Sequence, residues 1–308
     1  MPRFSWLCLV FLLATSLAGF VSAAETVPGV GPSGEILRLH TDFAFTEGPA
    51  YDGQGNLYFS DIPNARIHLL DSEGNLSVFT DQSRHSNGLM FNAAGELVAC
   101  EMEGQLAAWN VKTKTRRILA DGYQGKRFNA PNDLIIDRLG GIYFTDPHYR
   151  APEPLPQGKT CVYYLAADGT VTRLIDDLIA PNGIMLAPDE HTLYVFPSGE
   201  STMRKYAVDK PGQIGSGEDF YTVTTAEGEK AGGCDGVTID NQGNLYLTTR
   251  FGIQVVNPAG ELLGTIELPE QPANVTFGGP DGKTLYATAR TSLYAMQMLS
   301  QRLGARSK

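Results

Sequence analysis

Short runs of apolar residues recur along the chain, separated by turns rich in Asp, Asn and Gly. Six segments share one order of features: a polar opening, a short apolar strand, an Asp/Asn/Gly turn and a second strand of the Leu-Tyr type. They are EGPAYDGQGNLYFSD at 47, NGLMFNAAGELVACE at 87, PNDLIIDRLGGIYFTD at 131, PNGIMLAPDEHTLYVFPS at 181, CDGVTIDNQGNLYLTT at 234 and ANVTFGGPDGKTLYATA at 273. Runs of this length bounded by turn residues predict β-strands, and no long amphipathic helix stands out.

The spacing of these segments predicts the architecture. They follow one another at intervals of about 40 to 50 residues, which is the period of a β-propeller blade. A second hairpin, such as ARIHLLDSEGNLSVFT, completes each unit. We therefore predict an all-β fold, a six-bladed β-propeller, formed as a single domain by residues 24–308. Residues 35–41 are predicted to close the ring against the last blade, and residues 149–160 to form a Pro-rich loop inside the domain.

The first 23 residues have the pattern of a secretory signal peptide. Arg3 is followed by the apolar run WLCLVFLLATSLAGF, and VSA at 21–23 is a small-residue cleavage site. The alternative is a membrane anchor, although the run is short for a bilayer span. We expect cleavage after Ala23 or Ala24, export to the periplasm or the cell exterior, and no stable membrane insertion afterwards.

The charge and the cysteine content limit the kinds of molecule and metal that the protein is expected to bind. The formal charge of −10 argues against nucleic acid or an anionic membrane and is compatible with a cation or a small neutral substrate. Beyond the signal peptide, Cys100, Cys161 and Cys234 remain; one disulfide is possible, but the spacing identifies no pair. The absence of CxxC and HExxH motifs argues against a zinc site built on thiolates.

The polar openings of the six segments predict a site. In a propeller the first strand of each blade faces the central channel, so these openings converge at its mouth. The converging residues all carry oxygen and none is basic: Glu47, Asn87, Asn132, Asn182, Asp235 and Asn274. Carboxylate and amide oxygens are the ligands that Ca²⁺ prefers. Taken singly, each residue could instead cap a turn; the shared register favours a site. The turns inside the blades, such as Asp52–Gly55, need no ligand.

Several of these motifs resemble one protein family. TEGPAY, FNAPND, YFTDPHY, APNGI and GCDGVTID are similar, in this order and over essentially the whole mature chain, to the senescence marker protein/gluconolactonase/luciferin-regenerating enzyme family. The resemblance implies a six-bladed propeller that hydrolyses lactones. It implies one divalent cation, usually Ca²⁺, with Zn²⁺, Mg²⁺ or Mn²⁺ as alternatives. The implied ligands are Glu47, Asn132, Asn182 and Asp235.

The same reasoning suggests catalytic roles. A hard cation polarises a lactone carbonyl, and a carboxylate assists proton transfer from water. The resemblance implies Asp235 as the general base, and Asp133 is the second candidate because it adjoins a ligand.

Other residues are candidates for the pocket around the cation. Arg127 and Asn129, in KRFNAPND, suit the hydroxyl groups of a sugar lactone, although Arg127 could equally stabilise a loop. His148 and Tyr149 are predicted to wall the pocket, although a lone histidine is more often structural. We predict that Asn87 lines the pocket, and we expect Asn274 to be structural.

Two departures from the family pattern leave the substrate open. Family members of the bacterial gluconolactonase branch often carry a CEH motif, where this chain has CEMEGQLAAW with Met102 and Gln105. DPHY also replaces the commoner DPPY. The favoured function is a divalent-metal-dependent, most simply calcium-dependent, lactonase that acts on a sugar lactone such as gluconolactone; the two departures allow another lactone or ester as substrate. The alternatives are an exported propeller that binds a cation and a small ligand without turnover, and a phosphotriesterase-type hydrolase similar to the diisopropyl fluorophosphatases.

Overall fold

The computed structural model describes residues 27–224, 228 and 230–304, so the predicted signal peptide lies outside the described residues. Within that part of the chain there is no α-helix, and no segment is a helix long and apolar enough to cross a membrane. The secondary structure consists of 26 strands. The first, β1 (Leu37–His40), belongs to the last blade and is described with it.

Six four-stranded antiparallel sheets form the blades of a propeller, which confirms the predicted fold. Blade 1 comprises β2 (Thr46–Tyr51), β3 (Leu57–Asp61), β4 (Arg66–Leu70) and β5 (Leu76–Thr80). Blade 2 comprises β6 (Ser86–Phe91), β7 (Glu96–Glu101), β8 (Gln105–Asn110) and β9 (Arg116–Ala120). A small hairpin follows, of β10 (Gly122–Tyr123) and β11 (Lys126–Arg127).

The second half of the chain repeats the arrangement. Blade 3 comprises β12 (Leu134–Ile136), β13 (Ile142–Asp146), β14 (Cys161–Leu165) and β15 (Val171–Ile175). Blade 4 comprises β16 (Pro181–Leu186), β17 (Thr192–Pro197), β18 (Thr202–Lys210) and β19 (Gln213–Thr222). Blade 5 comprises β20 (Val237–Ile239), β21 (Leu245–Thr249), β22 (Gly252–Val256) and β23 (Leu262–Ile266).

The ring is closed by strands from both ends of the described chain. Blade 6 comprises β24 (Pro272–Gly278), β25 (Thr284–Ala289) and β26 (Ser292–Gln297), and β1 pairs antiparallel with β26 as its outer strand. Leu37 lies opposite Ala295 and Arg38 opposite Tyr294. The prediction that residues 35–41 complete the last blade is therefore confirmed. Strand β24 also contacts β2, so blades 6 and 1 meet at the axis.

Burial decreases from the axis outward. Apart from β18, the first three strands of the blades are mostly buried, whereas the fourth strands, such as β5 and β9, carry mostly exposed or half-buried residues. Each inner strand packs between neighbouring blades on both faces, which explains why its apolar residues run together instead of alternating with polar ones. The core consequently lies between the blades and around the channel.

The Asp/Asn turns within the blades are structural, as predicted. The Oδ1 atom of Asp52 accepts hydrogen bonds from the backbone N–H groups of Gln54 (2.7 Å) and Asn56 (3.0 Å). Asp240 makes the equivalent bonds to Gln242 and Asn244, both 2.9 Å. These side chains are used to fix hairpin register. No disulfide joins Cys100, Cys161 and Cys234, all of which are buried.

Candidate functional site

The polar openings of the inner strands meet at one end of the channel, where a cavity of about 310 Å³ opens to solvent. Its lining includes four of the predicted site residues from four different blades: Asn87, Asn132, Asn182 and Asp235. Tyr149, predicted to wall the pocket, also lines it. Glu47 does not line the cavity; it is buried, 2 % exposed, and its carboxyl group is hydrogen-bonded to that of Asp235. Five chain segments distant in sequence thus contribute to one site.

Glycines allow the strands to approach one another so closely. In four of the six openings a glycine follows the polar residue and lies against the next blade: Gly48, Gly88, Gly183 and Gly236. A Cβ atom on Gly48 would lie 2.0 Å from the carbonyl oxygen of Asn87, and one on Gly236 would lie 2.1 Å from Cγ of Asn274. Only the absence of a side chain permits these contacts. The glycine of each motif therefore serves the packing of the ring.

Hydroxyl groups of the second strands fix the same ring. Ser60 Oγ donates to the carbonyl oxygen of Asn87 (2.8 Å), which belongs to the next blade. Thr145 Oγ1 donates to the carbonyl oxygen of Asn182 in the same way, also at 2.8 Å. Because the main chains of Asn87 and Asn182 are held by neighbouring blades, their side chains project from a rigid support.

The floor of the cavity concentrates negative charge. Burial, together with the carboxylates of Asp235 and Asp133, raises the pKa of Glu47 well above its usual range. Burial is also the largest cause that raises the pKa of Asp235, to about 6; Asp133 adds to the increase, and hydrogen bonds from Asn182 and Glu47 oppose it. Within the described chain, neither Glu47 nor Asp235 forms a salt bridge with a basic side chain.

This donor set fits a hard divalent cation. Asn87 Oδ1 is buried and has no hydrogen-bond partner among the described residues, so one amide oxygen is available at the cavity. A cation would neutralise the repulsion between the carboxylates, and the amide oxygens add ligands without adding charge. No group of three or more His, Cys, Asp and Glu side chains in the described ranges is arranged to hold a metal ion. Binding of a cation at this cavity would therefore need the amide oxygens of Asn132 and Asn182 as well as the carboxylates.

Asn274 has a supporting position. Its Nδ2 atom donates a 2.9 Å hydrogen bond to Glu47 Oε2, and its own Oδ1 accepts from the backbone N–H of Val275. The backbone N–H of Gly48 donates to the same carboxylate oxygen of Glu47 (2.7 Å). Asn274 thus orients Glu47 from the last blade, in agreement with the structural role that we expected for it.

The two candidate bases differ in access. Asp235 lines the cavity and is partly exposed to it. Asp133 is fully buried, and its Oδ1 accepts a 3.0 Å bond from the backbone N–H of Leu134. A water molecule in the cavity can reach Asp235, whereas Asp133 acts on the site through its charge.

Three predicted substrate contacts lie outside the cavity lining. The Arg127 guanidinium donates to the carbonyl oxygens of Phe128 and Asn129, both at 3.0 Å. Asn129 is fully buried; its Nδ2 donates to Asp146 and Lys159 carbonyls, and its Oδ1 accepts from Gln157 N–H.

Arg127 and Asn129 therefore organise the chain before blade 3 and the Pro-rich loop, and the geometry does not support their predicted contacts with substrate. His148 is exposed, and its ring lies against that of Tyr149, with centroids 4.8 Å apart.

Apart from Tyr149, the cavity residues that follow the second strands were not predicted from the sequence. Strand two is antiparallel to strand one, so it ends at the face of the propeller where strand one begins. The segments after β3, β7, β13 and β17 consequently supply cavity walls: Ile62 and Pro63, Met102, Tyr149 and Arg150, and Ser198. The Tyr149 hydroxyl is hydrogen-bonded to Ser198 Oγ across two of these segments. The feature of the sequence that could have identified these residues is their position directly after the second strand of a blade.

Comparisons with known proteins agree with this geometry. Residues 45–291 match the model of the SMP-30/Gluconolactonase/LRE-like region. The chain is 33 % identical over 281 residues to a gluconolactonase of Zymomonas mobilis subsp. mobilis, covering 82 % of this chain and 78 % of the relative. It is 28 % identical to the pentonolactonase XacC of Haloferax volcanii, covering 81 % and 83 %. A solved gluconolactonase from Xanthomonas campestris superposes with a TM-score of 0.79 at 30 % identity, covering 86 % and 89 %.

Proposed function

The chain belongs to the SMP-30/gluconolactonase/LRE-like family, and from this premise we propose that it hydrolyses a sugar lactone with the help of one divalent cation. Calcium is the first choice, because the donor set consists of carboxylate and amide oxygens. The observation that carries the proposal is the cavity, where Asn132, Asn182 and Asp235 from three blades meet and the buried Glu47 adjoins Asp235. The sequence relatives named for gluconolactone and pentonolactone hydrolysis support a sugar lactone as substrate.

Glu47, Asn132, Asn182 and Asp235 would hold the cation. When bound, it supplies a Lewis acid that polarises the lactone carbonyl and stabilises the developing oxyanion. The chain's own residues position the reactants. Phe45, Ile62 and Met102 give the cavity an apolar wall that packs against the carbon skeleton of the substrate. Tyr149, held through its hydroxyl by Ser198, packs against the same apolar cluster.

Proton transfer is assigned to Asp235. In hydrolysis the water oxygen bonds to the carbonyl carbon, and one water proton passes to the Asp235 carboxylate. The bond between the carbonyl carbon and the ring oxygen then breaks, and the ring oxygen takes up the proton, which leaves a hydroxy acid. Asp235 is assigned this role because it lines the cavity and is partly exposed to it, within reach of water, whereas Asp133 is fully buried.

A substrate screen tests this function. The wild-type protein, Asp235→Asn and the exposed control Asp121→Asn are assayed side by side against lactones, simple esters and organophosphates with a pH indicator. We expect wild type and Asp121→Asn to hydrolyse sugar lactones, and Asp235→Asn to lose about 10²–10⁴ in rate. If only phosphotriesters are hydrolysed, the lactonase assignment is wrong. If the protein binds a cation but hydrolyses nothing, it is a binding module.

A further inference from the structure

A single cationic side chain, Arg150, stands among the described residues that line the cavity. We propose that Arg150, positioned by His85, recognises an anionic group on the substrate. The preferred lactones would then carry a carboxylate or a phosphate away from the lactone carbonyl. This inference rests on the proposed lactonase function and names the class of lactone within it.

Arg150 is placed at the rim of the cavity. Arg150 is exposed, as is the lining residue Pro63, whereas the lining residues Asn132 and Asn182 are buried. No carboxylate of the described residues lies within salt-bridge distance of its guanidinium. Arg150 has a φ of 56°, a left-handed conformation that an arginine rarely adopts. The guanidinium at the cavity rim is thus available to pair with an anionic group of a ligand.

His85 holds the guanidinium without neutralising it. His85 Nδ1 lies 2.8 Å from the carbonyl oxygen of Ile62, which can only accept, so Nδ1 carries the proton. The remaining ring nitrogen, Nε2, then accepts a 3.1 Å hydrogen bond from Arg150 Nη2. The carbonyl oxygen of His85 accepts from the backbone N–H of Met102 (3.3 Å). His85 is thus tied to two cavity-lining residues, and its ring orients Arg150 at the same cavity.

The two ends of the cavity have complementary chemistry. The floor carries the oxygen ligands that face the lactone carbonyl, and the rim carries the planar fork of an arginine. That fork pairs bidentately with carboxylate or phosphate oxygens. The chain as a whole has a formal charge of −10, which repels anionic ligands. A positive rim offsets this repulsion where a substrate enters. A lactone with an anionic substituent satisfies both ends at once.

The experiment measures kcat and KM separately for three probes. These are the neutral glucono-1,5-lactone, the carboxylate-bearing glucaro-1,4-lactone and 6-phosphogluconolactone. We expect a lower KM for at least one anionic probe in the wild type, and which probe it is distinguishes carboxylate from phosphate. Arg150→Gln should raise that KM about tenfold, which corresponds to about 1.4 kcal/mol. The kcat of Arg150→Gln, and its KM for the neutral lactone, should stay within about twofold of the wild-type values.

Two further variants keep the test specific. Arg38→Gln removes an exposed arginine on β1 and should leave all three KM values unchanged. His85 has a φ of 54°, so His85→Asn removes the imidazole while keeping a residue type that tolerates φ > 0. It should raise KM for the anionic probe, and it should add nothing in an Arg150→Gln background if both residues act together.

The outcomes separate the two proposals. Equal KM values for neutral and anionic lactones in the wild type, or equal effects of Arg150→Gln on all three probes, overturn the anionic-substrate inference and leave the lactonase function standing. Hydrolysis of no lactone by the wild type overturns both proposals. Additive effects of His85→Asn and Arg150→Gln overturn the positioning role of His85.

Discussion

Asp235→Asn should make the cation-free protein more stable while it removes activity. In the cation-free site Asp235 is held near Asp133 and Glu47, and burial raises its pKa from 3.8 to about 6. The ionised carboxylate is therefore less favourable in the folded protein than in the unfolded chain. Asparagine has nearly the same shape and no charge, so the substitution relieves this cost.

The size of the effect follows from the pKa shift. A shift from 3.8 to about 6 corresponds to about 3 kcal/mol at about 1.36 kcal/mol per unit. Because Asp235 is partly open to the cavity, we treat this as an upper bound. For a protein of this size each kcal/mol changes Tm by about 2–4 °C, so the variant should unfold up to roughly 6–12 °C higher.

The pH dependence has a definite sign. A carboxyl group whose folded-state pKa is raised contributes full stability only below its unfolded pKa, and that stability is lost as pH rises through the folded value. For Asp235 the window runs from about 4 to about 6. The stability gain of Asp235→Asn over wild type should thus be largest at pH 8 and roughly half as large at pH 5.

The assay is thermal unfolding at pH 5 and pH 8, with chelator and with excess Ca²⁺. The matched control is Asp121→Asn, an exposed aspartate outside the cavity. With Ca²⁺ the order should reverse, since wild type gains stability from the bound ion and the variant lacks one anionic ligand. A cation-free Asp235→Asn protein that unfolds below wild type at pH 8 would refute the picture of crowded carboxylates.

Three further variants test separate parts of the structure. Gly236→Ala places a Cβ atom 2.1 Å from Cγ of Asn274 and should weaken both cation binding, measured by calorimetry, and folding stability. The control Gly34→Ala, with no atom within 4 Å of its Cβ, should change neither. Glu47→Gln should weaken Ca²⁺ binding strongly, and unchanged affinity would argue against Glu47 as a ligand. Arg127→Gln removes two hydrogen bonds to backbone carbonyls and should cost about 1 kcal/mol of stability with kcat/KM nearly unchanged; a large loss of activity would restore its predicted role in substrate binding.

The repeat made the fold and the floor of the site predictable. Recurrence of a polar residue at or just before the start of each inner strand fixes its position at the channel mouth, because propeller topology leaves no other place for it. Asn87, Asn132, Asn182 and Asp235 accordingly line the cavity. Closure by residues 35–41 was predictable for a similar reason, since five complete blades leave one sheet short of a strand.

The walls were harder to predict because they depend on how individual loops bend. Nothing in KRFNAPND shows that the Arg127 guanidinium turns back to its own backbone. Nor does the sequence show that Asn129 is buried under the Pro-rich loop and bonded to Gln157. Arg150 follows Tyr149 directly, yet its place at the rim depends on a left-handed backbone conformation that the residue type disfavours. Such contacts arise from tertiary packing.

The central claim is that a divalent cation bound at the cavity floor is required for lactone hydrolysis. Its most direct test is a titration of Ca²⁺ into chelator-treated wild-type protein, with bound ion and initial rate of gluconolactone hydrolysis measured on the same samples. We predict a rate near background without the ion, a rise in proportion to occupancy, and saturation at one ion per chain. Full activity at zero occupancy, or occupancy without any rise in rate, would contradict the claim.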